Sequence, residues 1–101
     1  MQNDELIRTL RQLHEMLRGH GVQFWPDKLA HLAQRVEAFG AQEASDQMKT
    51  ELTELFGGMG TLTDLHICRQ NGHVVHDERE ANRQLRALRQ KLWDAVHDRS
   101  T

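Results

Sequence analysis

Leu62-Thr63-Asp64-Leu65-His66-Ile67-Cys68-Arg69-Gln70-Asn71-Gly72-His73-Val74-Val75-His76 is the stretch on which the fold class turns. From Leu62 to Arg69 it is rich in apolar and β-branched residues, which favour a pleated strand. Asn71-Gly72 is the strongest short hairpin signal, because a type I′ turn needs φ > 0 at both central positions. Val74-Val75 supplies a return strand. The expectation is a β-hairpin over about 62–76. A two-residue turn would then pair His66 with Asp77, Ile67 with His76 and Cys68 with Val75.

Working outward, the rest reads as helix. Leu6, Leu10, Leu13 and Leu17 recur at spacings of four, three and four, one stripe of a helix over 4–18. Asn3 suits its N-cap, and Gly19-His20-Gly21 stops it. Pro26, after the connector Val22-Gln23-Phe24-Trp25, suits the first turn of a second helix. That helix runs to about Phe39, with Leu29, Leu32, Val36 and Phe39 inward and Gly40 as its cap. A third covers about 42–56, with Met48, Leu52, Leu55 and Phe56 apolar. The last begins after Asp77, which forms a capping-box pair with Glu80. It carries Ala81, Leu85, Leu88, Leu92 and Ala95 inward, with Leu88 expected at the centre of the core. The predicted fold is therefore an α-dominated α+β domain over 1–101, four helices with one hairpin inserted before the last.

The bulk composition excludes several classes. The chain has 101 residues, enough for one core. Its single cysteine, Cys68, excludes an internal disulfide and a multi-cysteine zinc site. The acidic N-terminus has no leader pattern, no apolar run approaches the ~20 residues of a membrane span, and mean hydropathy is −0.73. A soluble cytoplasmic protein is expected. Net charge is −2, with six Lys/Arg against ten Asp/Glu in residues 1–64 and seven against five in 65–101. That balance does not supply the basic face that nucleic acid requires.

The hairpin would place His66, Cys68, His73 and Asp77 on one face, all types that ligate zinc. Residues two apart on a strand are about 7 Å apart, however, wider than the usual paired-ligand spacing, and no metal is expected. Gly57-Gly58-Met59-Gly60-Thr61 follows a helix and lacks a lysine, so it reads as a cap and turn, not a phosphate cradle. Ser45 and Ser100 sit on no strained strand-to-helix turn. Cys68 beside His66 or His73 is the remaining thiol–imidazole option, and a mid-strand cysteine next to Ile67 is ordinarily a small buried hydrophobe. No catalytic residue and no cofactor are assigned. Arg79, Arg83, Arg86 and Arg89 form a row on the last helix, read as a solvated face.

The segment Phe56-Gly57-Gly58-Met59-Gly60-Thr61-Leu62-Thr63-Asp64-Leu65 resembles a family of roughly 100-residue bacterial proteins of uncharacterised function. These share a phenylalanine and Gly-Gly-Met-Gly-Ser/Thr, followed by Asp and an apolar strand. The resemblance covers residues 52–93, with Leu85, Leu88 and Leu92 fitting the family's C-terminal helix. It implies an immunity- or antitoxin-like protein found beside bacterial toxins.

The functional expectation is an immunity-type binding protein that neutralises a cognate toxin by contact. The alternative is a homodimeric structural or adaptor protein using the leucine stripes of the first and last helices. Those stripes can satisfy each other within one chain, so a monomer is expected. Toxin sites that handle nucleic acids are basic and their blockers carry carboxylates. The expected contact residues are accordingly Glu43, Asp46, Glu51, Glu54 and Asp64.

Overall fold

A computed structural model describes residues 3–38, 46–56 and 65–96, without the side chains of residues 3, 46–49, 56 and 71. Among these residues there are four α-helices: α1 (Asn3–Gly19), α2 (Trp25–Glu37), α3 (Asp46–Thr53) and α4 (Glu78–Val96). Short 3-10 turns occupy Glu54–Phe56 and Arg69–Asn71. The described residues hold no β-strand, so the class is all-α and the expected hairpin does not form.

α1 lies at the centre and packs against both α2 and α4. Its stripe of Leu6, Leu10, Leu13 and Leu17 is completely buried, as are Leu29 and Val36 from α2 and Leu85 and Leu92 from α4. Leu52 and Leu55 close the core from α3 and the turn after it. Leu88, expected at the centre, is half-buried at the edge. Thr9 is buried on the inward side, where its hydroxyl donates to the Glu5 carbonyl at 2.9 Å and so is not left unpaired. Phe39, Gly40 and the glycine loop 57–61 lie outside the described residues. No helix among the described residues is long and apolar enough to cross a membrane.

Of the predicted helix ends, the glycine stop of α1, Pro26 in the first turn of α2 and Asp77 before α4 hold, whereas Asn3 lies inside α1 and α2 closes at Ala38, ahead of Gly40. α1 ends in a Schellman motif: Val22 N–H donates to the Leu17 carbonyl and Gly21 N–H to Arg18, both at 3.0 Å, with Gly21 left-handed at φ 71°. Leu17 and Val22, the apolar pair that accompanies this motif, are both buried. Asp77 caps α4 by accepting from Glu80 N–H at 3.1 Å. The Glu80 carboxylate does not return the bond as a capping box would; it takes Arg83 Nε at 2.8 Å instead.

The hairpin fails because other groups take the backbone of each arm. Ile67 donates its N–H to Asn82 Oδ1 and accepts at its carbonyl from Asn82 Nδ2, both at 2.8 Å. One buried amide on α4 thus replaces the neighbouring strand. The third polar valence of Asn82 is met by the Glu78 carbonyl at 2.7 Å. On the return arm, Val74 N–H donates to the His20 carbonyl at 2.8 Å, and its carbonyl meets His20 Nδ1 at 2.7 Å. Gly72 is left-handed at φ 84°, as the Asn-Gly signal requires, but it caps the 3-10 turn and not a strand pair. Among the described residues only His73 N–H to the Cys68 carbonyl, at 3.3 Å, joins the arms backbone to backbone.

Candidate functional site

The end of the bundle where α1, α2 and the 73–77 arm meet carries most of the unusual chemistry. Only two residues separate the buried Val22 from the first residue of α2, so the connection must turn sharply. It does so at Phe24, with φ 70° and ψ −57° and a Trp25 N–H to Gln23 carbonyl bond of 2.7 Å. These are the angles and bond of a γ-turn of the rare, strained hand. A bulky residue with positive φ is an outlier that the surroundings must enforce. Pro26, buried in the first turn of α2, and the Schellman motif fix the two sides of it. The strained turn holds the Phe24 ring 64% exposed, edge-on to Trp25 with centroids 5.1 Å apart.

Two grooves adjoin this corner. One, of about 460 Å³, is lined by His14, Arg18, Val22, Phe24, Pro26 and Asp27 among others. Its His14 Nδ1 is 2.7 Å from the Pro26 carbonyl, which fixes that nitrogen as the donor. The other, of about 370 Å³, is lined by His20, Val74, Val75, His76, Glu80 and Ala81 among others. Val74 stands 71% exposed at its lip, pinned by the two His20 bonds, and its Cγ2 would lie 3.8 Å from a Cβ placed on Gly21. Arg69 completes the support, donating Nε to the Val75 carbonyl and a terminal nitrogen to the His76 carbonyl.

The acidic residues singled out from the sequence do not assemble visibly into one face. Glu43 and Asp64 lie outside the described residues, and Asp46 opens α3 without a described side chain. Glu54 is exposed on the 3-10 turn. Glu51 turns back onto α2, where Arg35 donates to it at 2.7 Å. That hydrogen bond holds the Glu51 carboxyl below its usual range, against the opposing effect of desolvation and with help from the charge of Arg35. Arg35 is raised correspondingly.

Of the arginine row, Arg79, Arg83 and Arg86 are exposed, while Arg89 is partly desolvated, which together with Arg86 lowers its pKa. The His66, Cys68, His73, Asp77 face is not assembled. His73 Nδ1 accepts from Cys68 N–H at 3.2 Å and Asp77 serves as a cap. Among the described residues no three His, Cys, Asp or Glu side chains converge as a metal site would require. Sequence reasoning missed Phe24, His20 and Asn82. The shortness of the segment between Val22 and Pro26 was the one available signal.

A family model for a domain of unknown function, DUF6966, matches residues 18–76. The chain belongs to the DUF6966 family. The matched region begins in the last turn of α1 and ends on the return arm, so its two ends meet through the His20–Val74 bonds. No curated protein and no solved structure matches the chain.

Proposed function

We propose that this protein is a cytoplasmic, non-enzymatic binding protein of immunity type, which neutralises a cognate toxin by contact. The observation that carries the reading is Val74, an exposed apolar side chain on a backbone fastened at both its N–H and its carbonyl. Behind it lie Val75 and Ala81, with His20, His76, Asp77 and Glu80 around the rim. An apolar centre inside a polar rim is the anatomy of a protein interface, and a rigid anchor loses little entropy on binding. Glu54, exposed on the 3-10 turn after α3, offers a carboxylate that can steer a basic partner.

Against the alternative of a homodimer built on the leucine stripes stands the burial of those stripes within one chain, with only Leu88 half-buried. The test is affinity capture of the tagged full-length protein from its native lysate, with Val74→Glu beside the wild type. A partner encoded next to this gene, toxic when expressed alone and lost with Val74→Glu, is the expected result. Capture undiminished by the substitution, or a neighbouring product that is harmless without this protein, overturns the proposal.

A further inference from the structure

The Phe24 groove carries an arrangement that the toxin-binding reading does not use. Arg18 comes from the last turn of α1 and Asp27 from the first turn of α2, and both line this groove with Phe24. Both are exposed, and among the described residues neither side chain has an ion-pair or hydrogen-bond partner. Arg8, Arg11, Arg35 and Arg83, by contrast, each reach a carboxylate. Each charge also suits the dipole of its own helix end, which accounts for its place in the sequence. It does not account for an aromatic ring held out beside the same groove on a left-handed backbone.

A patch that joins one cation, one anion and an exposed ring along one groove can be complementary to itself. In a two-fold contact the same patch serves both sides, so residue i meets residue j and j meets i. A purely acidic or purely basic patch repels its own copy; this one does not. We propose that the α1–α2 corner is a homodimer contact whose occupant is a second copy of this chain. Phe24 packs against the partner's Phe24 at the axis, and Arg18 of each protomer pairs with the partner's Asp27. Aromatic and arginine anchors of this kind carry most of the binding energy in protein interfaces. The Val74 groove shares no lining residue with this patch and is not engaged in such a dimer.

Sedimentation velocity of the full chain over a range of concentrations tests this, with circular dichroism showing that each variant is folded. Wild type is expected to show a concentration-dependent dimer. Arg18→Asp alone and Asp27→Arg alone sediment as monomers, because each creates like-charge pairs across the axis. Their equimolar mixture recovers a dimer, because opposite charges meet again at both positions. Phe24→Gly, which relieves the backbone strain while removing the ring, weakens association by about tenfold or more. If a reversal prevents folding, Arg18→Gln and Asp27→Asn take its place and each weakens the dimer. A wild type that stays monomeric at its highest soluble concentration overturns the proposal. So does a dimer indifferent to the substitutions, or two folded reversal variants that fail to associate when mixed.

Discussion

The two arms of residues 65–76 are both irregular, lie one turn apart, and are held by different means. The outgoing arm is fastened by Asn82, an amide buried on α4 that takes the N–H and the carbonyl of Ile67. The return arm is fastened by His20 and Arg69, which reach it from half-buried and exposed positions. The difference teaches what each arm is for. A buried amide has no water to compete with it, and loss of such a partner strands buried polar groups. That arm carries Ile67, which is completely buried, into the core. Bonds near solvent are worth less individually, and the arm they hold presents Val74 outward.

The largest effect should follow from breaking the buried side. Asn82→Ala orphans the N–H and the carbonyl of Ile67 together and should cost about 2–4 kcal/mol in urea unfolding. A loss below about 0.5 kcal/mol would mean that the amide is not the fastening. Gly72→Val acts on the turn between the arms. A Cβ there meets nothing within 4 Å, so the penalty is the left-handed backbone alone, about 1–3 kcal/mol. His20→Ala releases only the side-chain half of the Val74 bond pair and should cost about 0.5–1.5 kcal/mol. It should also loosen Val74 without moving Ile67.

How much of this was legible in the sequence depends on the range of the interaction. Leu6, Leu10, Leu13 and Leu17 declare their helix by spacing, and Gly21, Pro26 and Asp77 declare its ends and those of its neighbours, because the forces act within one or two turns of chain. Gly72 likewise announced its positive φ. The partner of Ile67, by contrast, is 15 residues away, and no local pattern distinguishes an arm paired with a strand from one paired with a side-chain amide. The hairpin was therefore the wrong inference from a correct turn signal. At the site, Glu51 was legible as a carboxylate but not as the partner of Arg35, 16 residues earlier. Phe24 read as an ordinary connector residue, since strain is a property of the folded backbone.

The smallest effect concerns that ion pair. The Glu51 carboxyl is held low in the folded state, so its contribution is complete above the ordinary carboxylate range. It vanishes as pH falls through the depressed folded value. Glu51→Gln should lower the urea midpoint slightly at neutral pH and match wild type in acid. A difference that persists unchanged into acid would contradict the assignment. Reversal of Glu51 also disturbs the docking of α3, so Glu54→Lys is the cleaner probe of acidic steering.

The central claim is that Asn82 on α4 and His20 just beyond α1, not a strand ladder, hold the two arms, and independently of each other. Amide hydrogen exchange at Ile67 and Val74 tests it most directly, in wild type, Asn82→Ala and His20→Ala. Asn82→Ala should strip protection from the Ile67 amide and leave Val74 nearly unchanged. His20→Ala keeps the carbonyl that accepts the Val74 amide but frees the Val74 carbonyl, so it should raise exchange at Val74 modestly and leave Ile67 unchanged. Protection lost at both amides together in either variant is the behaviour of a paired hairpin, and would contradict the account.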